Sequence, residues 1–168
     1  MHVVRLSTVR EHREELAALL IDCVASGASV GFLPPLPEAE APSFWDDLDT
    51  GLQAGSRLML AAMLDGRMVG AVQLALCNKG NGLHRAEVEK LMVHSEQRGA
   101  GIGRALMTGI EQLARDHHRT LLVLDTRTGD VASALYRKCG YVEAGQIPGY
   151  ALNAKGQLDA TTYFYKPL

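Results

Sequence analysis

The residues with the clearest chemical purpose form one run, Gln97-Arg98-Gly99-Ala100-Gly101-Ile102-Gly103-Arg104. Its glycines leave backbone N–H groups uncovered, so that several can converge where a Cβ would interfere. Arg98 and Arg104 flank the same point with fixed positive charge. A helix beginning at Ile102 adds the positive end of its dipole. A pyrophosphate suits such a cradle. One Gly-x-Gly alone would serve a ligand-free turn equally well. The two arginines, and a position between a strand and a helix, favour the anion.

The elements that hold this cradle are readable from the patterns around it. Ala86 to Val93 reads as a strand. Ile102, Leu106, Ile110 and Leu113 recur at helical spacing to about residue 116. Thr120 to Asp125 is an apolar run ending in a carboxylate, as in a strand buried on both faces. Residues 86–125 therefore make a strand–helix–strand unit with a right-handed crossover. Upstream, His2 to Leu6 is a short strand and Val9 to Ala25 a helix, with Thr8 and Glu11 as a capping box. Glu38 to Ala54 is a second helix, carrying Trp45. Arg57 to Leu64 and Arg67 to Cys77 form a hairpin turned by Asp65-Gly66. Downstream, Gly129 to Lys138 is a helix ended by Gly140. Tyr141 to Gly145 reads as a short strand, Pro148-Gly149 as a turn, and Thr161 to Tyr165 as a last strand. The sum is an α/β (α+β) fold, a mixed central sheet of six to seven strands flanked by about four helices in a single domain, 1–168.

The segment Ser26 to Pro37, broken by Gly27, Gly31, Pro34, Pro35 and Pro37, forbids a regular element. It is either a functional loop or a surface loop pinned by Phe32 and Leu33. A net charge of −2 argues against a nucleic-acid partner. Cys23, Cys77 and Cys139 are odd in number and far apart, which points to buried reduced thiols and a cytoplasmic setting. No His pair has metal-ligand spacing, and no stretch is long enough to span a membrane.

From Val93 to Leu106 the sequence resembles the GNAT superfamily of N-acetyltransferases, whose phosphate turn reads Gln/Arg-x-x-Gly-x-Gly/Ala. Ala132, Tyr136, Gly140 and Tyr141 match that superfamily's later Ala-x-x-x-Tyr-x-x-x-Gly-Phe/Tyr segment. Gly27 to Phe32, Arg85 to Val88, Lys90 to Val93, Leu124-Asp125-Thr126 and Pro148-Gly149-Tyr150 are similar to the tabtoxin-resistance type. The resemblance implies transfer of acetyl from acetyl-CoA to an amine, with no metal. For that subfamily the acceptor is a β-lactam amino-acid toxin, so toxin or antibiotic resistance is implied too. Arg98 to Arg104 would hold the pyrophosphate. Leu91, Met92 and Val93 would pair with the pantetheine and donate to the thioester oxygen. Many members carry Asn where Gly129 stands, so the backbone or Ser133 is expected to substitute.

An amine is mostly ammonium at neutral pH, so a general base is needed. Glu87 and Asp125 end up on the two parallel strands, and the resembled subfamily has acidic residues at both matching positions. Glu89 shares the face of Glu87 and is an alternative base. Tyr136 stands where the superfamily places its general acid. Arg85 or Arg127 would hold an acceptor carboxylate, and Phe32 would line its site. The expected acceptor is a small amino-acid-like amine, and the protein a monomer or homodimer. A protein N-terminus or lysine is the second acceptor class. A non-catalytic acyl-CoA-binding module is the reading from outside enzymology.

Overall fold

The computed structural model describes residues 1–168. Seven strands and four helices follow in chain order: β1 (His2–Leu6), α1 (Arg13–Ala25), α2 (Glu40–Gln53), β2 (Arg57–Leu64), β3 (Arg67–Leu76), β4 (Arg85–Val93), α3 (Ile102–Asp116), β5 (Leu121–Arg127), α4 (Val131–Lys138), β6 (Val142–Leu152) and β7 (Leu158–Pro167). The strands form one sheet in the order β1-β2-β3-β4-β5-β7-β6. Only β4 and β5 are parallel, joined by the crossover through α3.

Alternation along the strands divides the core into two layers. Val72, Leu74, Ala86, Val88, Leu122 and Leu124 face α3 and α4, where Leu106, Ile110 and Tyr136 meet them. Met59, Ala61, Ala71 and Met92 face α1 and α2, against Leu16, Leu20 and the fully buried Trp45. The apolar stripes of α1 and α3 read in the sequence are the faces that cover the sheet.

Three local expectations are corrected. The helix expected from Val9 begins at Arg13, after a short 3-10 turn over Arg10–His12. Thr8 caps nothing in α1. Its hydroxyl donates to Asp49 Oδ1 at 2.7 Å, and Asp49 also accepts from Val9 N, so a long-range partner displaced the local capping box. Tyr141 to Gly145 is not a short strand followed by a turn at Pro148-Gly149. Val142 to Leu152 is one continuous, wholly exposed strand. Pro148 is tolerated because β6 is the sheet edge, and the pairing irregularity between Ile147 and Ala151 absorbs it.

Candidate active site

β4 and β5 pair only at Arg85 with Leu121, Ala86 with Leu122 and Glu87 with Val123. Beyond Glu87 the two strands part, and the edge of β4 that faces β5 has no ladder partner. The cause lies in β4 itself. Ala71 pairs with Met92 and Gln73 with Glu89, so Val72 opposes both Lys90 and Leu91. Lys90, at φ 51, is the extra residue of this bulge. A bulge bends and over-twists its strand, which turns the end of β4 away from β5.

The glycine run sits at the open end of this fork. Gly99 and Gly101 both have φ 82, and a Cβ on either would meet nothing within 4 Å, so the space before them is free. No backbone N–H from Arg98 to Arg104 has a backbone acceptor in the chain, and α3 carries no acidic residue in its first turn. These donors fit a phosphate group. Gly103 has another role. A Cβ there would lie 3.1 Å from Leu135 Cδ2, so this glycine lets α4 approach α3.

Arg98 does not project freely. Its Nε donates to Val93 O at 3.2 Å and its Nη2 to Ser26 Oγ at 2.6 Å. Cys23 also donates to Val93 O, which leaves that carbonyl with two protein donors. Asp22 accepts from Ser95 N and Ser95 Oγ. The end of α1 thus clamps the cradle in shape, and Arg104, which forms no ion pair, is the open cation there.

Glu87 lies at the root of the fork. It is half-buried, and burial first, then Glu89 and Asp125, push its carboxyl above the usual range. No hydrogen bond holds the charged form. Glu89 shares its face but is paired with Arg57, which also reaches Gln73 Oε1 at 3.4 Å. Asp125 faces the same side, two residues beyond the partner of Glu87. The Thr161 hydroxyl lies 2.6 Å from Asp125 Oδ2 and 2.9 Å from Thr126 O, one proton between two acceptors. Tyr163, the register partner of Asp125, meets the Tyr150 hydroxyl at 2.9 Å, and that bond pushes its phenol up to about 12. Tyr136 lies on the other side of the sheet, packed against Tyr141 and Phe164. Burial pushes its phenol far above the ordinary range, so it is protonated throughout neutral pH.

A fork with an anion cradle at its mouth and carboxylates at its root is an arrangement for group transfer from a phosphate-bearing carrier. A family model described as the acetyltransferase (GNAT) family matches residues 24–141. The chain belongs to the GNAT family. It is 31% identical over 116 residues to aminoglycoside N(6')-acetyltransferase type 1 of Stenotrophomonas maltophilia, covering 61% of this chain and 76% of that one. It is 23% identical over 147 residues to the L-methionine sulfoximine/L-methionine sulfone acetyltransferase of Pseudomonas aeruginosa, covering 87% and 84%. The ribosomal-protein-alanine N-acetyltransferase structure from Brucella melitensis superposes with a TM-score of 0.83 at 22% identity, over the full length of both chains.

GNAT enzymes take their acetyl group from acetyl-CoA, which when bound supplies an activated thioester. The residues present fit it: the free N–H groups of 98–104 suit its pyrophosphate, and the unpaired edge at Leu91 and Met92 suits an extended arm. Ser133, buried on α4, follows the Asp130 cap of that helix, and Gly129 sits at φ 83, a conformation Asn also tolerates. On the opposite side of the fork, a cleft of about 200 Å³ is lined by Ser29, Gly31, Phe32, Leu33, Ala151 and Leu152. The loop after α1 therefore meets the edge strand β6 there. A larger hollow, about 350 Å³ around Arg10, Asp46 and Asp49, lies away from the fork, and its Arg10 and Asp49 are paired to each other.

The two arginines expected near the acceptor are not gathered at this cleft. Arg127 is engaged with Asp130 and with Gly27 O. Arg85 packs where Gly82 leaves room, at the closed end of the fork. Sequence reasoning passed over Arg57, Lys90, Thr161 and Tyr163. Lys90 carried a signal: under strict alternation with Ala86 and Val88 it would enter the α3 layer, and a lysine in a core position marks a bulge.

Proposed function

We propose that this GNAT acetyltransferase acetylates the amine of a small amino-acid-like molecule, an acceptor class that includes amino-acid toxins and antimetabolites. Glu87 takes the proton from the acceptor ammonium. The observation that carries this is Glu87 itself, half-buried and without a hydrogen-bond partner, its carboxyl raised by burial and by two like charges. Glu89 is paired with Arg57, and its proximity raises the carboxyl of its neighbour Glu87. Asp125, held by Thr161, orients the acceptor beside Glu87. The N–H at Leu91 or Met92 donates to the thioester oxygen, and Tyr136 returns a proton to the departing thiolate. The relative that acts on methionine sulfoximine and methionine sulfone supports an acceptor of this size.

The test is coenzyme A release from acetyl-CoA over a panel of amino acids, amino-acid analogues, aminoglycosides and N-terminal peptides. Acceleration by small amino acids with none by peptides is the expected result. Acceleration by peptides alone sinks the small-acceptor reading, and acetyl-CoA binding without acceleration by any amine sinks the role given to Glu87. The cleft between Phe32 and Leu152, about 200 Å³, supports the small acceptor by its size.

A further inference from the structure

Four basic side chains lie along the fork, and two of them are paired with carboxylates. Arg57 is paired with Glu89, and Arg127 with Asp130. Arg85 is unpaired, but it lies at the closed end of the fork beside Gly82. Lys90 is the unpaired one beside the cleft. Because the bulge breaks alternation, its side chain lies on the same face as Glu89. Its Nζ donates to Val30 O at 2.6 Å and sits 5.7 Å from the centre of the Phe44 ring. It forms no ion pair with any carboxylate.

An ammonium drawn partly out of water and left without a counter-ion is costly, and a bound anion would offset that cost. Lys90 has three N–H donors and spends one on Val30 O, so two remain. The free donors lie beside the cleft, since a Cβ on its lining residue Gly31 would stand 3.1 Å from Lys90 Nζ. Burial lowers the lysine's proton affinity while the nearby Glu89 opposes that. Glu87 and Asp125 on the same face offer negative charge to the acceptor's ammonium. The face thus presents positive and negative charge side by side, the complement of a zwitterion.

We propose that Lys90 receives the carboxylate of the acceptor, which makes the acceptor class a zwitterionic amino acid or a close analogue. This rests on the function proposed above and adds to it which end of the acceptor is read, and by what. Lys90 would then set specificity, while Glu87 does the chemistry.

The experiment measures kcat/KM for matched acceptors, each L-amino acid and L-methionine sulfone against its own carboxamide. The acid-to-amide ratio is compared among wild type, Lys90→Met and Lys90→Arg, so that differences in amine basicity cancel. The ratio is expected to fall about tenfold to a hundredfold in Lys90→Met, the worth of a charge-assisted hydrogen bond, and to recover in part in Lys90→Arg. Turnover of the amides and acetyl-CoA affinity should change little in Lys90→Met, which also reports that the variant is folded. An equal ratio in wild type and Lys90→Met overturns the inference while leaving the enzyme reading intact. So does a Lys90→Met variant that loses acid and amide alike. A wild type that acetylates no member of the panel overturns the proposed function, and this inference with it.

Discussion

Replacing Glu87 and Glu89 in turn separates a base from a structural charge. The amine of a free amino acid, beside its own carboxylate, is more basic than a chain terminus with pKa near 8, so nearly all of the acceptor is ammonium at pH 7 and must lose a proton. A positioned base is worth about 10²–10⁴ in rate, or about 3–5 kcal/mol of barrier. Glu87→Gln is therefore expected to lower kcat by that factor without weakening acetyl-CoA binding. Its raised carboxyl also predicts the stability change. A carboxyl raised on folding favours the folded state at low pH, and that advantage is lost as pH rises through the native pKa. At pH 7 the ionised Glu87 faces Glu89 and Asp125 at a cost, so Glu87→Gln should melt at the same temperature or higher. Glu89→Gln should do the reverse. It leaves Arg57 with Gln73 Oε1 alone, and the pair is about a third exposed on the arginine side. Discounting a buried pair for that exposure gives about 1–2 kcal/mol, or roughly 2–8 °C in melting temperature, with chemistry retained. The assay is the pH profile of kcat/KM with thermal melts of both variants. In wild type the acid limb should lie above the ordinary glutamate range and vanish in Glu87→Gln. If Glu89→Gln abolishes that limb while Glu87→Gln keeps it, the assignment is wrong.

Three further outcomes follow from the packing. Gly70→Ala on β3 would put a Cβ 2.9 Å from Met92 O and 3.1 Å from Leu106 Cδ1; the overpacking should cost about 1–3 kcal/mol and be visible as a lower melting temperature. The same shift displaces Ile102 at the start of α3, so acetyl-CoA affinity measured by calorimetry should fall too. Tyr136→Phe removes a hydroxyl without a hydrogen-bond partner, so the melt should be unchanged while kcat drops about a hundredfold, and an unchanged kcat would remove Tyr136 from the chemistry. Lys166→Met leaves Glu111 buried without the Nζ that now lies 2.7 Å away, a loss of about 3–5 kcal/mol seen in denaturant unfolding.

The cradle was legible because its chemistry is local. Gly99, Gly101 and the start of α3 lie within a few residues, and the turn fixes their geometry. The apolar stripes of α1 and α3 were legible for the same reason. What stayed hidden depends on partners far along the chain. Thr8 looked like a helix cap because Asp49, which takes its hydroxyl, is 41 residues away. Arg98 looked free because Ser26, which occupies it, follows a different helix. Glu87 and Glu89 looked equivalent until Arg57 was seen to choose one. The Pro-Gly in β6 looked like a turn because sequence does not announce an edge strand.

The bulge in β4 has a further meaning as an edit. Omit Lys90, and Leu91 would fall opposite Val72 while every other residue of β4 kept its partner on β3 and its face of the sheet. The apolar residues of both layers would keep their places, while the contacts of Lys90 with Val30 O and Phe44 would be lost. What would go is the bend, and with it the reason for β4 and β5 to separate after Glu87. The fork is thus the work of one surplus residue in β4. A single-codon deletion is expected to close the fork while the pairing of β3 with β4 stays in place.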